Sequence, residues 1–203
     1  MTLLNSDRQL RVKETHYNDE KEYVQKILED GTTVMTYKNG TTKEISADKK
    51  KVYVKFFNND RKEVDNEANI ETYYYAETNI TQIKYQDEYQ IIKFPNGQVE
   101  KYYKDKTREV IFPDNTCKIY YPDGREESRL ANGTRVILEP NGNKIMEYPN
   151  GQREIHTGQF KRREYPDGSI KTVYTNGISE TVYANGRVRV KDSSGNIISD
   201  NRV

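Results

Sequence analysis

Glycine recurs in this chain at a spacing of nine residues. It stands at positions 31 and 40, at 97, 124, 133, 142 and 151, and at 168, 177, 186 and 195. The gaps are nine or multiples of nine, except for the fifty-seven residues between Gly40 and Gly97 and the seventeen between Gly151 and Gly168. Gly158 alone among the twelve glycines falls outside the rule, while Lys49, Glu88, Lys106 and Asn115 occupy vacant slots in phase with their neighbours. All six prolines, Pro95, Pro113, Pro122, Pro140, Pro149 and Pro166, stand two places before a slot. A chain with this rhythm is a nonapeptide array, and an array folds by stacking its repeats.

The unit reads aromatic-Pro-Asp/Asn-Gly, as in Tyr121-Pro122-Asp123-Gly124 and Tyr148-Pro149-Asn150-Gly151. Proline presets φ near −65° for the first corner of a type I turn, and glycine supplies the left-handed residue that follows. Together they specify a three-residue hairpin loop closed by a G1 bulge. Three loop residues leave six for a strand, the commonest strand length, so the spacing predicts a run of antiparallel hairpins. Loop length also sets register. Three loop residues pair Phe94 with Gln98, Ile92 with Glu100 and Gln90 with Tyr102, whereas a two-residue loop would send every side chain to the opposite face.

Sorted by that register, the strands of the stretch 89–148 carry 11 apolar residues of 21 on one face and 10 of 21 on the other. A sheet packed on a core is lopsided, apolar inside and polar outside. Composition agrees that no core is available: 33% of the chain is apolar with seventeen tyrosines included, and 32% is charged. Its wealth of Tyr, Thr, Val and Ile argues against disorder. The predicted class is therefore all-β: an extended single-layer antiparallel sheet, a meander of about 20 short strands from Tyr23 to Asp200, wetted on both faces. At about 4.8 Å per strand it would run ~90 Å. Residues 1–22 lack the repeat and are expected to form a polar leader, helical or frayed, ahead of a repetitive domain at 23–203. Between slots 59 and 88 the phase slips by two residues, in a region (53–103) that holds 11 of the 22 aromatics.

Several function classes recede. No apolar run approaches the roughly 18 residues of a membrane span, and no signal-peptide centre is read at the N-terminus. Lys+Arg against Asp+Glu is 33 to 32, which biases the chain toward neither nucleic acid nor membrane. With the single Cys117 the expected setting is reducing and intracellular. No enzyme constellation, metal spacing or cofactor motif is present. His16 and His156 are read as surface residues, Cys117 as a small apolar residue in mid-strand, and Lys161-Arg162-Arg163 as a solvated strand edge. The aromatics support two readings of equal weight. Phe56, Tyr73, Tyr75 and Phe94 either knit strands together or line a docking surface for an extended or polyproline peptide. In the second reading Glu100, on the face of Phe94, accepts an arginine of the guest.

The succession of Phe/Tyr-Pro-Asp/Asn-Gly units, with Gly40-Thr-Thr-Lys-Glu-Ile-Ser-Ala-Asp48, Phe56-Phe57-Asn58, Tyr73-Tyr74-Tyr75-Ala76 and Gln159-Phe-Lys-Arg-Arg-Glu-Tyr-Pro-Asp-Gly168, resembles the C-terminal G-box of the CPAP family of centriolar assembly proteins. This is also called the T-complex protein 10 C-terminal domain. The resemblance covers about residues 26–200. It implies a non-enzymatic scaffold of centriole duplication at the centrosome, whose exposed sheet binds a proline-rich motif of a STIL-type centriole duplication protein and serves other centrosomal partners. The contact residues it implies are Phe56, Tyr73, Phe94 and Glu100, with the choice between Tyr73 and Tyr75 as main anchor open. An open sheet also leaves unpaired edges, so end-to-end self-association through Asn196, Ile197, Ile198 and Ser199 is expected. The rival reading is a secreted Tyr-Asp-repeat shell or carbohydrate-binding array.

Overall fold

The computed structural model describes residues 11–86 and 88–202. Among the described residues there are 21 strands and no helix, in two units that divide after Lys104. The first unit opens with β1 (Val12–Asn18), β2 (Tyr23–Leu28), β3 (Thr33–Tyr37), β4 (Thr42–Ile45) and β5 (Lys51–Lys55). It continues through β6 (Arg61–Asp65), β7 (Ile70–Tyr75), β8 (Ile80–Tyr85), β9 (Tyr89–Lys93) and β10 (Val99–Tyr103). The second begins with β11 (Arg108–Ile111), β12 (Cys117–Tyr120), β13 (Glu126–Arg129), β14 (Arg135–Leu138) and β15 (Lys144–Glu147). Then come β16 (Arg153–His156), β17 (Phe160–Glu164), β18 (Ile170–Tyr174), β19 (Ser179–Val182), β20 (Arg187–Lys191) and β21 (Ile197–Arg202). Within each unit every strand pairs antiparallel with its chain neighbours and packs on no other strand. The single-layer antiparallel meander is thus the architecture of both units, and β2–β21 supply the twenty strands expected from Tyr23 onward.

The loops fold as their composition dictates. At Phe94–Gln98 the Phe94 N–H donates to the Gln98 carbonyl at 2.9 Å and the Gly97 N–H to the Phe94 carbonyl at 3.0 Å. Asn96 Oδ1 accepts the Gln98 N–H at 2.9 Å, an Asx bond that explains why Asp or Asn precedes the slot. Gly97 has φ +88°. The non-glycine slots Lys49, Lys106 and Asn115 take the same left-handed conformation, with φ of 59°, 70° and 65°. At Gly133 space matters as well as φ: a Cβ there would lie 3.1 Å from Cγ of Pro149 in the next loop along the same margin.

Register follows from these loops. Glu100 faces Ile92 and Tyr102 faces Gln90, as three loop residues require. The phase slip also has a local cause. Asn69 and Asn79 take left-handed φ of 54° and 55° at the ends of four-residue loops, 66–69 and 76–79, and each loop adds one residue. The seventeen-residue gap is the converse. Thr157 pairs with Phe160 through its N–H at 2.9 Å, leaving Gly158 and Gln159 as a two-residue loop.

Two sequence expectations change. Val12–Asn18 is neither helical nor frayed but a strand in register with β2. It was hidden because its loop, Asp19–Glu22, contains no Gly or Pro; Asn18 Oδ1 caps the Lys21 N–H at 2.9 Å and Glu22 takes φ 49°. The rest of that leader, residues 1–10, lies outside the described residues. The run Lys161-Arg162-Arg163 is no strand edge either: it lies in β17, paired on both sides by β16 and β18.

Among the described residues only Val110 and Ile137 are buried apolar side chains, so neither unit has a core. Their place is taken by local pairs. Arg125 lies over the Tyr121 ring at 4.0 Å and Arg162 over Phe160 at 5.0 Å, stems and rings covering one another. On one face of the second unit Arg135, Glu147, Arg153 and Glu164 stand directly opposite in sequence across β14–β17, linked at 3.1, 3.7 and 3.3 Å. Glu127 anchors this ladder. It is 3% exposed and accepts from Arg135 at 2.8 Å and Arg129 at 3.1 Å. Hydrogen bonds from Arg135 above all, then from Arg129, hold its carboxyl down to about 2.

A carboxyl depressed in the folded state stabilises above its unfolded pKa and loses that contribution as pH falls through the folded value. The Glu127 term is therefore complete above about pH 4.5 and disappears toward pH 2. Glu127→Gln should cost about 2 kcal/mol at pH 7, as loss of charge-assisted bonds does, and urea midpoints of parent and variant should converge as the pH drops to 3. Parallel midpoint curves over that range would contradict the assignment.

Candidate functional site

The registers of β5–β10 place all five candidate contact residues on one face of the first unit. Lys62 faces Tyr73, Tyr73 faces Gln82, Gln82 faces Ile92, and Ile92 faces Glu100. One step toward the loops, Phe56 bonds across to Asp60 at 2.9 Å, Tyr75 faces Ile80, and Phe94 bonds across to Gln98. Continuing the pairs Arg61–Tyr74 and Thr81–Lys93 by one residue sets Asp60 against Tyr75 and Ile80 against Phe94. Two parallel rows cross six strands: Phe56, Asp60, Tyr75, Ile80, Phe94 and Gln98, and beside them Val54, Lys62, Tyr73, Gln82, Ile92 and Glu100.

Rings cluster at one end of the strip. Phe56 and Tyr73 have centroids 5.7 Å apart, and Tyr73 and Tyr75 4.5 Å. Tyr75 is exposed, while Phe56, Tyr73 and Phe94 are half-buried. Asp60 organises the cluster. It accepts the Tyr73 hydroxyl at 2.9 Å, the Ala76 N–H at 2.8 Å and Asn58 Nδ2 at 3.0 Å. The Ala76 N–H, with the Tyr73 hydroxyl and Asn58 amide behind it, holds the Asp60 carboxyl below the usual carboxylate range. Burial, reinforced by the Asp60 carboxylate, raises the Tyr73 phenol. On the other side Tyr75 donates to Gln82 Oε1 at 3.2 Å, and Gln82 in turn to Gln90 at 3.0 Å.

Glu100, the acceptor expected for an arginine of the guest, has partners within the domain. It is 6% exposed, with Oε1 taking the Gln98 amide at 2.8 Å and Oε2 the Tyr102 hydroxyl at 2.5 Å. The strands carry a second version of this arrangement. Tyr148-Pro-Asn-Gly-Gln152-Arg-Glu154 repeats Phe94-Pro-Asn-Gly-Gln98-Val-Glu100 six units later. Glu154 is likewise buried and takes the Gln152 amide at 3.2 Å. Its Oε1 also holds Arg163, Nε at 2.8 Å and Nη2 at 2.6 Å. A glutamate at this point of the repeat therefore accommodates a guanidinium and a glutamine amide on one oxygen.

The sequence profile of the family described as T-complex protein 10 C-terminus matches residues 86–120, 121–156 and 158–191. The chain belongs to that family. It is similar to the centrosomal P4.1-associated proteins of mouse and human, 54% and 53% identical over 180 residues, 89% of this chain. The chain spans 13% of the length of those relatives. Among solved structures it is similar to the TCP10 domain of zebrafish CPAP in complex with a peptide of zebrafish STIL, with 49% identity and a TM-score of 0.69 over 89% of this chain and 99% of that one. It is also similar to the Drosophila SAS-4 TCP domain bound to a proline-rich motif of Ana2, with 41% identity and a TM-score of 0.65 over 72% of this chain and 97% of that one.

Membership of the T-complex protein 10 C-terminus family displaces the reading as a carbohydrate-binding shell. The remaining sequence candidates fall into place around the strip. Asn196 closes the last loop, its N–H and amide on Asp192 at 2.8 and 3.1 Å. Ile197 and Ile198 of β21 are 53% and 59% exposed, and Ser199 faces Val190. His156 Nε2 meets Glu154 at 3.2 Å, as expected; Cys117 lies half-buried at the start of β12 and not in mid-strand, its thiol donating to Glu109 Oε1 at 3.4 Å. Asp60 and Ile80 were missed. Asp60 follows the slot residue Asn59, a point at which no other slot is followed by an acid, and that exception was the available signal. Ile80 could be placed only with the four-residue loop 76–79 in hand.

Asp60→Asn keeps an acceptor for the Ala76 N–H but removes the charge beside the Tyr73 phenol. Followed by NMR on ζ-carbon-labelled tyrosine, Tyr73 should titrate at lower pH in the variant than in the parent. An unmoved Tyr73 titration would show that Asp60 does not control the cluster.

Proposed function

We propose that this domain is a non-catalytic interaction scaffold of centriole assembly at the centrosome, which receives a proline-rich segment of a STIL-type centriole duplication protein on the Phe56–Phe94 strip. The observation that carries the reading is a match of spacings. The ring-bearing strands β5, β7 and β9 alternate, two strand spacings or ~9.6 Å apart at the backbone, and a polyproline II helix presents the same side every three residues, ~9.3 Å. Phe56, Tyr73 and Tyr75 lean together into one platform, so a proline-rich guest lying across the strands would set one proline edge on that platform and the next on Phe94, two strands on. Such a segment is already extended, so little ordering entropy opposes its binding.

Phe56, Tyr73, Tyr75 and Phe94 are the anchors in this reading, Tyr75 the more exposed of the tyrosine pair and Tyr73 the one fixed from beneath by Asp60. Glu100 takes an arginine of the guest beside the Gln98 amide, in the manner of Arg163 on Glu154. The relatives support the partner: zebrafish CPAP and Drosophila SAS-4 domains were solved with STIL and Ana2 peptides. Self-association is a second part of the proposal, supported by the exposed Ile197 and Ile198 on the final strand, where a further copy could add its own strand.

Calorimetric titration with the STIL-type proline-rich peptide tests the anchors. Phe94→Ala should weaken binding by about 2 kcal/mol, the scale of an aromatic hot spot, whereas Phe57→Ala, at a loop tip and 69% exposed, should leave it unchanged. Equal affinities for Phe94→Ala and parent would remove the strip from the site.

A further inference from the structure

The two faces of β15–β18 differ sharply in charge. One presents Glu147, Arg153, Arg162 and Glu164, two acids and two bases, joined through Glu147–Arg153 at 3.7 Å and Arg153–Glu164 at 3.3 Å. The other presents Lys144, Lys161, Arg163 and Lys171, with His156 among them and Glu154 as its one carboxylate. Glu154 is spent on Arg163 and His156. Lys144, Lys161 and Lys171 are exposed and make no ion pair with any described residue. The register even sets Arg163 directly against Lys171, and His156 between Lys144 and Lys161. Like charges opposed on adjacent strands destabilise a sheet. Here, in a chain whose other face pairs its charges strand by strand, this patch is left uncompensated.

We propose that this basic face of β15–β18 is a second docking site, for a short acidic polypeptide segment. Its extent selects that class. The strand on one side, β14, offers Val136 and Leu138 to this face, and β19 on the other offers Ser179 and Thr181, so uncharged strands bound the patch on both sides; on β20 beyond, Arg187 and Arg189 share the face with Lys191 but are held by Asp200. Four strands span ~14 Å, the length of about four extended residues at ~3.3 Å each. A nucleic-acid site follows the phosphates as a longer basic stripe on a domain of high positive charge, whereas this chain has a net charge of +1. The flat ladder with cations every one or two strands suits alternating carboxylates of an extended peptide, each meeting a lysine that lacks a partner. The site shares no residue with the aromatic strip, and the proposal stands independently of the proline-rich guest.

Fluorescence anisotropy at low salt with a labelled octapeptide of alternating Glu and Ser is the test, using the full chain. The parent should bind it, lose it as salt rises, and ignore the corresponding Lys-Ser peptide. The combined variant Lys144→Ser, Lys161→Ser, Lys171→Ser should weaken binding about tenfold or more, as loss of interfacial charge pairs does, with a melting temperature no lower than the parent's and unaltered affinity for the proline-rich peptide. Absence of binding by the parent, or equal binding by the variant, would overturn the proposal. So would tighter binding of an oligothymidylate or of phosphatidylserine vesicles than of the acidic peptide, or salt-sensitive dimers in sedimentation that the variant abolishes.

Discussion

The left-handed residue that closes the loops of the repeat is the constraint on which the rest of this structure depends. Without a core, nothing else would hold one strand in register against the next, because burial is what normally punishes a one-residue slip. The three-residue loop replaces that penalty with geometry. Proline, an Asx bond and a residue at φ near +85° admit one connection, and the connection admits one register. Lys49, Lys106 and Asn115 show how firm the demand is: L-residues enter the left-handed region there, at some cost in strain, rather than let the repeat lapse.

Register then decides chemistry. Because each pairing is fixed, side chains far apart in sequence line up in rows that cross the strands, and each row acquires a character. One becomes an aromatic strip, one an alternating ladder of Arg and Glu, one a run of uncompensated cations. These rows stay accessible because no second layer covers them. A sheet with a packed face would have consumed Phe56, Tyr73 and Phe94 as core. Here the absence of an interior both limits stability and leaves the rings at the surface, so the same economy of apolar residues that denies the fold a core supplies the surface proposed for the guest.

Much of this was legible from spacing alone. Glycine and proline gave the loop type, the loop gave the pairing of Glu100 with Ile92, and an even division of apolar residues between faces gave the single layer. What escaped lacked those markers. β1 is followed by a loop of Asp, Glu and Lys; the four-residue loops at 66–69 and 76–79 end in Asn and betray themselves only as a slip of phase. The burial of Glu100 was invisible because it depends on the Gln98 and Tyr102 side chains folding over it, a local choice that no periodicity encodes. Asp60 was hidden for the same reason, as its importance lies in a hydrogen bond to the N–H of Ala76, sixteen residues on.

The heat capacity of unfolding tests the central claim most directly. Packed domains show roughly 12–15 cal/mol/K per residue because unfolding exposes their apolar interiors. A sheet wetted on both faces has little interior to expose, and scanning calorimetry of this chain should give a value below about 10 cal/mol/K per residue on the same scale. A heat capacity in the ordinary range would mean that its apolar side chains are sequestered from water after all, and the account of a coreless, loop-registered sheet would fall with that result.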